Sequence, residues 1–76
     1  MSFYDYMMQK HKGKDTPAGD FAEDMSRCRD TFPIDSTERK EIQEYLIRHN
    51  ACPECMDVFR KCWKQYMKQE EREATR

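Results

Sequence analysis

The apolar face of the last third of the chain constrains the fold more than any other feature. Bulky side chains recur there at steps of three and four, which places them on one side of an α-helix. Phe59, Trp63 and Tyr66 form the centre of this face, and Met56 and Met67 extend it at either end. Rings of this size need a second surface to cover them. The sequence therefore predicts a last helix that supplies the largest share of the core.

Two upstream helices are predicted from their start and stop signals. Ser2 can cap the first helix, which Gly13 ends. Thr16 followed by Pro17 opens the second, because a capping hydroxyl precedes a ring whose φ is already set for the first turn. The apolar stripe of this second helix reaches Phe32, where the proline that follows is expected to stop it.

A third helix is predicted in the middle of the chain. Its cap is either Asp35, paired with Glu38 as in a capping box, or Ser36. Asn50 is its predicted end. The stripe expected to face inward consists of Ile42, Tyr45, Leu46 and His49.

No segment alternates as a strand does, so the predicted fold class is all-α, a compact orthogonal bundle of four to five helices. The 76 residues have room for one domain. We place it at residues 1–69 and expect the charged tail at 70–76 to fray, because the chain has nothing to bury after Lys68. The predicted core residues are Phe3, Phe21, Met25, Phe32, Ile42, Leu46, Phe59, Trp63 and Tyr66.

The charge balance gives no general preference for a polyanionic partner. With 14 basic and 15 acidic side chains, the net charge of −1 gives no overall attraction to nucleic acid or to an anionic membrane. No run approaches the roughly 18 apolar residues of a membrane span, and the N-terminus does not resemble a signal peptide. We therefore expect a cytoplasmic protein, in which four cysteines are more often thiols or metal ligands than disulfides.

Three stretches of the chain resemble a known family. They are SFYDYMM at the start, FPIDST followed by EIQEYL in the middle, and MDVFRKCWKQYM near the end. Together they resemble the YozE family, small cytoplasmic proteins of Gram-positive bacteria whose fold is similar to the sterile alpha motif. The resemblance runs from Ser2 to about Met67. It implies a fold and a compartment but no activity, since none is established for that family.

The sharpest local motif is Cys52-Pro-Glu-Cys55. Two thiols at a helix start can be redox active, but redox motifs of this type follow a strand and none is predicted here. Zinc would need four ligands, so Cys62 and either Cys28 or His49 would have to join the pair. In the YozE family, Cys55 and Cys62 stand where small residues are usual. We favour packing, with Cys28 and Cys62 in the core and the other two partly exposed, and predict no cofactor.

Basic residues form two clusters. One lies at the end of the first helix and comprises Lys10, His11, Lys12 and Lys14; the other lies on the outer side of the last helix and comprises Arg60, Lys61, Lys64 and Lys68. Phosphate binding requires such clusters. Acidic residues are as numerous, however, and no base-reading motif is present, so a solvated surface is the ordinary interpretation.

No arrangement of histidines, cysteines and carboxylates suggests catalysis, so we predict that the protein is not an enzyme. The leading hypothesis is an adaptor that binds another protein through an exposed Tyr4 and the basic side of the last helix. The alternative is a nucleic-acid-associated accessory protein that uses both basic clusters. A continuous basic face from Lys10 to Lys64 would favour nucleic acid, and interleaved charges beside an apolar patch would favour protein.

Overall fold

The computed structural model describes residues 1–74, and every regular element in that range is an α-helix. The helices are α1 at Phe3–Lys10, α2 at Pro17–Arg27, α3 at Arg39–Arg48 and α4 at Pro53–Ala74. The all-α prediction is confirmed, and the four helices found in the described range match the lower number expected.

The core forms where α4 packs against α1 and α2. Phe3 lies at its centre, with its ring centroid 5.2 Å from that of Trp63, 5.5 Å from Tyr66 and 5.7 Å from Phe59. The last two rings meet Phe3 edge to face, an arrangement that aromatic quadrupoles favour. In the described range α1 and α4 each contribute four buried apolar residues, so the last helix shares the core equally with α1 rather than supplying the largest part of it.

All nine residues predicted for the core are buried. Tyr4 was expected to be exposed, and this was wrong: only 9% of it is accessible, and its ring lies 6.0 Å from that of Phe32. Met67 was placed in the apolar stripe but is 47% exposed, which corrects that part of the prediction. The other buried apolar residues are Tyr4, Tyr6, Met7, Ala22 and Cys62.

The predicted starts of α1 and α2 are confirmed. The Ser2 hydroxyl accepts a hydrogen bond from the Asp5 amide at 3.1 Å, and the Thr16 hydroxyl accepts one from the Gly19 amide at 3.0 Å. Each cap satisfies an amide that has no partner within the helix.

The second helix ends earlier than predicted, at Arg27 rather than Phe32. Cys28 leaves the helical path, and its carbonyl accepts hydrogen bonds from the amides of Thr31 at 3.0 Å and Phe32 at 2.8 Å. This turn still delivers Phe32 to the core, where its ring lies 5.0 Å from that of Tyr45. Cys28 itself is exposed, which corrects its predicted place in the core.

The third helix begins later than predicted, with Glu38 at the capping position and no side-chain cap. Neither Asp35 nor Ser36 caps it. Instead the Ser36 hydroxyl accepts a hydrogen bond from the Glu38 amide at 3.1 Å, and the Ser36 carbonyl accepts one from the Phe3 amide at 3.1 Å. The loop before α3 is therefore bound to the start of α1.

α3 ends at Arg48, and the predicted stop signal at Asn50 follows it in the geometry of a Schellman motif. Asn50 takes a left-handed conformation, with φ of 55°. Its amide donates to the Ile47 carbonyl at 3.1 Å, and the Ala51 amide donates to the Leu46 carbonyl at 3.0 Å. His49 was placed on the inward stripe but is exposed, and it is the C-terminal capping residue of the helix.

The last helix continues to Ala74, beyond the point at Lys68 where we expected it to fray. The N-terminus of the chain supports this extension. The Met1 ammonium forms an ion pair with Glu70 at 3.2 Å, and the Tyr66 hydroxyl donates to the Met1 carbonyl at 2.6 Å. Residues 75–76 of the predicted tail lie outside the described range. Within that range, none of the helices combines the length and the apolar character that crossing a membrane requires.

Candidate functional site

A groove lies between the end of α1 and the second half of α4, and its lining carries no acidic side chain. We call it the basic groove. Three lysines and an arginine contribute to it, together with a histidine, two amides and a phenol. Its lining residues are Tyr6, Lys10, His11, Lys14, Gln65, Lys68, Gln69 and Arg72.

The α1 side of the basic groove is a tight turn held by backbone contacts. The Lys12 amide donates to the Met7 carbonyl at 3.1 Å, and the Lys14 amide donates to the His11 carbonyl at 3.1 Å. The turn passes so close to α2 that a Cβ atom on Gly19 would overlap the Lys14 carbonyl oxygen. Glycine at this position therefore allows α2 to fix the turn that carries the first basic cluster.

The α4 side of the basic groove follows from helical spacing. Four lining residues share one side of the helix, because each lies next to another in sequence or three or four positions from it. They are Gln65, Lys68, Gln69 and Arg72. Lys61 lies one turn earlier and lines an adjoining hollow together with His11 and Lys14. Cations from both predicted clusters therefore meet along this side of α4.

The remaining predicted surface residues lie outside the basic groove. Arg60 forms an exposed ion pair with Asp57 at 2.6 Å, and Lys12 and Lys64 are exposed without lining the groove. The predicted interaction surface is therefore divided, because Lys10 and Lys68 line the basic groove whereas Arg60 and Lys64 do not. A continuous basic face from Lys10 to Lys64 would have favoured nucleic acid; the basic groove instead joins Lys10 to Lys68 and does not include Lys64.

The lysines of the basic groove are not neutralised by neighbours. Among residues 1–74, the ion pairs found do not include Lys10, Lys14 or Lys68. Burial lowers the pKa of His11, the charge of Lys14 lowers it further, and an interaction with the Gln65 side chain opposes both effects. His11 is therefore predominantly neutral at pH 7, and the positive charge of the groove comes from its lysines and arginine.

The two cysteines of the Cys-Pro-Glu-Cys motif lie at the other end of α4. Their sulfur atoms are 3.2 Å apart, and the Cys55 amide donates to the Cys52 sulfur at 3.4 Å. Cys62 is not beside them, since it is buried in the core with 3% of its surface accessible. In the described part of the chain, no three metal-ligating side chains come together, so the zinc ligands considered from the sequence do not form one site.

An apolar hollow of about 170 Å³ lies between α2, α3 and the start of α4. Cys28 and Cys55 both contribute to its wall. The remaining lining residues are Phe21, Asp24, Met25, Phe32, Tyr45, Leu46, His49 and Ala51.

Comparison with protein families identifies the fold group. The family model described as the YozE SAM-like fold matches residues 2–68. The chain belongs to this family. No curated protein and no solved structure matched the chain. The YozE SAM-like match includes Lys10, Lys14 and Lys68 of the basic groove, whereas Gln69 and Arg72 lie beyond its last residue.

Sequence reasoning missed Gln65, Gln69 and Arg72 as groove residues. The spacing of Lys61, Gln65, Lys68 and Arg72 contained the signal, because steps of four, three and four continue one side of a helix. The expected loss of helical structure after Lys68 hid Gln69 and Arg72, and Gln65 was hidden because it is uncharged.

Proposed function

We propose that this protein is a non-enzymatic interaction domain that binds an acidic segment of a partner protein in the basic groove. The single observation that carries the proposal is that the groove brings cations from α1 and α4 together without any acidic lining residue. This is unusual on a chain whose net charge is −1. A local concentration of one sign attracts a segment of the opposite sign.

The chemistry of the groove suits carboxylates. Lys10, Lys14 and Lys68 supply ammonium donors, and Gln65 and Gln69 supply amide donors beside them. Charge-assisted hydrogen bonds from these groups to carboxylate oxygens are stronger than neutral ones. An extended acidic peptide can therefore place successive carboxylates along the side of α4.

Nucleic acid is the second candidate, because phosphates bind the same cations. Its specific support is Lys61, which continues the line of cations into the adjoining hollow. The overall charge balance argues against it, since a domain that binds duplex nucleic acid usually has a strong basic excess. The isoelectric point of this chain is about 6.1. We therefore favour the acidic protein segment.

The test is a fluorescence-anisotropy titration of the full chain with a labelled Glu- and Asp-rich peptide. A labelled duplex DNA of similar length and a peptide with Lys in place of the acidic residues serve as comparison probes. We expect saturable binding of the acidic peptide that weakens as salt is added. Tight binding of the duplex without binding of the acidic peptide would replace our proposal with the second candidate, and binding of neither would reject both.

Charge reversal on α4 provides a matched control. Lys68→Glu lies in the basic groove, whereas Lys64→Glu is exposed on the same helix outside it. We expect Lys68→Glu to weaken peptide binding by about tenfold, equivalent to about 1.4 kcal/mol, and Lys64→Glu to retain most of the affinity. Equal losses in both variants would mean that the peptide senses overall charge rather than the groove.

A further inference from the structure

The first turn of α4 carries two thiols in an arrangement that differs from the other helix starts. At α1 and α2, a hydroxyl oxygen accepts the hydrogen bond of the amide three residues later. At α4, the sulfur of Cys52 takes that role, and the Cys55 amide donates to it at 3.4 Å. The residue that donates this amide also carries the second thiol.

The two thiols differ in their surroundings. Cys52 is exposed and Cys55 is partly buried against the apolar hollow. The neighbouring Cys55 thiol and the helix amides stabilise a thiolate at Cys52 and lower its pKa. The pKa of Cys55 is raised, because its thiol is held by Cys52 and because it is partly buried. The exposed Cys52 thiol therefore ionises more readily than a free thiol, and Cys55 beside it holds its proton more strongly.

We propose that Cys52 and Cys55 form a reversible redox pair that exchanges with small-molecule disulfides of the glutathione type. This inference is independent of the basic groove. It rests on the 3.2 Å distance between the two sulfur atoms, on their position in one helical turn and on the exposure of Cys52. A disulfide bond is about 2.05 Å long, so closing it requires the sulfurs to approach by only about 1.2 Å.

The exchange proceeds in two steps that balance. The Cys52 thiolate attacks one sulfur of the small disulfide, whose S–S bond breaks and releases one thiolate, leaving a mixed disulfide on Cys52. The Cys55 thiol then loses its proton to solvent and attacks the Cys52 sulfur, and the second small thiolate leaves. The protein dithiol is oxidised by two electrons, and the small disulfide is reduced to two thiols, which take up protons from water. The reverse sequence restores the dithiol.

The other two cysteines differ in their access to a small disulfide. Cys62 is buried in the core, so small disulfides do not reach it in the folded protein. Cys28 is exposed and shares the apolar hollow with Cys55, which makes it the rival partner. The proposal requires the disulfide to join residues 52 and 55 and to leave Cys28 reduced.

The first experiment equilibrates the full chain in glutathione buffers of increasing oxidised fraction. Free thiols are then trapped by alkylation under denaturing conditions, and the products are mapped by mass spectrometry. We expect a two-electron transition in which only Cys52 and Cys55 lose their alkylation and become linked to each other. Three results would each overturn the proposal. They are a disulfide between Cys28 and Cys55, a mixed disulfide on Cys52 that never closes, and a folded chain that needs as high an oxidised fraction of glutathione as an unfolded control before it forms a disulfide.

The second experiment measures how fast each thiol reacts with iodoacetamide in the reduced, folded protein near pH 7. For each unit by which the pKa of Cys52 falls, its thiolate fraction rises tenfold while its nucleophilicity drops, so the net gain is roughly three- to fourfold. We therefore expect Cys52 to react faster than Cys28. Equal rates at the two sites would contradict the activation of Cys52.

Two variants separate the roles of the pair. Cys55→Ala should stop the reaction with oxidised glutathione at a mixed disulfide on Cys52, because no second thiol is present to displace it. Cys28→Ala, the matched control, should retain ring closure. Circular dichroism of both variants checks that the helices persist. Release of glutathione from Cys52 in Cys55→Ala, or loss of closure in Cys28→Ala, would assign the second step to a residue other than Cys55.

Discussion

The hydroxyl of Tyr66 donates a hydrogen bond of 2.6 Å to the carbonyl of Met1, and this bond ties the first residue of the chain to the middle of α4. Tyr66 is otherwise enclosed, with 1% of its surface accessible. The hydroxyl therefore has one defined role that can be removed without changing the packing of the ring.

We expect Tyr66→Phe to lower the free energy of unfolding by about 1 kcal/mol, the usual contribution of one such hydrogen bond. Urea denaturation followed by circular dichroism measures the change. Tyr4→Phe is the control, because no hydrogen bond to the Tyr4 hydroxyl is found in the described part of the chain. A larger loss in Tyr4→Phe than in Tyr66→Phe would contradict this assignment.

Removing the indole of Trp63 tests the aromatic core. Trp63→Ala deletes a ring in contact with Phe3 and Tyr66, so we expect a loss of about 3–5 kcal/mol. A small domain with roughly 5 kcal/mol of stability would then be largely unfolded at room temperature. Met67→Ala, on the exposed side of the same helix, should melt close to the parent. The prediction fails if the Trp63→Ala protein retains the parent melting temperature.

The change in stability caused by Gly19→Ala is expected to have opposite signs for helix propensity and for packing. Within a helix, alanine is more favourable than glycine by about 1 kcal/mol. At this position, however, the added Cβ meets the Lys14 carbonyl oxygen. We therefore expect Gly19→Ala to lower the melting temperature and to weaken binding of the acidic peptide, because the turn that carries Lys14 must move. A stabilised variant with unchanged binding would show that the turn is not held against α2.

The end of α3 offers a matched pair of substitutions. Asn50 has a φ of 55°, a conformation that costs a residue with a Cβ about 1–2 kcal/mol unless its side chain compensates. Asn50→Gly should match or exceed the parent in stability, whereas Asn50→Ala should lose about 1 kcal/mol. Chemical denaturation of both variants measures the difference. Equal stability of the two would mean that this residue is not held in the left-handed region.

His11 makes the stability of the fold depend on pH. Its pKa in the folded protein is lowered from 6.5, so the unfolded chain binds the proton more readily. Stability from this group is present above pH 6.5 and declines as pH falls from there through the lowered pKa. Thermal melts between neutral and mildly acidic pH should show a smaller decline for His11→Gln than for the parent. His49→Gln, at an exposed position, should behave as the parent does.

A carboxylate bound in the basic groove would raise the pKa of His11, so binding of the acidic peptide should strengthen as pH falls toward the pKa of that residue. This increase should disappear in His11→Gln. The ionisable groups that line the groove around His11 are Tyr6, Lys10, Lys14, Lys68 and Arg72. The comparison with His11→Gln therefore assigns the increase to His11 rather than to another ionisable group of the groove or of the peptide.

Helical period and capping signals predicted most of the fold. Ser2, Thr16 and Asn50 act locally, through hydrogen bonds or backbone angles of their own neighbourhood, and each was located from the sequence. The end of α2 was not, because it depends on Phe32 packing against Tyr4 and Tyr45, which are distant along the chain. The spacing of apolar residues predicts a helix for as long as that spacing continues, which here is as far as Phe32.

The basic groove was only partly predictable, because it forms between two helices. The basic residues of α4 were visible in the sequence. Which of them line the groove, as Lys68 does, and which do not, as Arg60 does not, depends on where α1 lies against α4. The extension of α4 past Lys68 was also hidden, since it is supported by Met1 from the opposite end of the chain. The cysteine motif was visible, but the distance between its sulfur atoms was not.

The length of α4 limits the electrostatic coupling between the thiols at its start and the basic groove near its end. From Cys55 to Arg72 the helix rises about 25 Å at 1.5 Å per residue, a large part of the 38 Å length of the molecule. Electrostatic influence through salt water fades over about 8 Å at physiological ionic strength. A change of charge at the thiols is therefore screened before it reaches the lysines at the far end. If α4 stays straight, the proposed oxidation of the thiols and the proposed binding of a ligand in the basic groove should therefore be independent of each other.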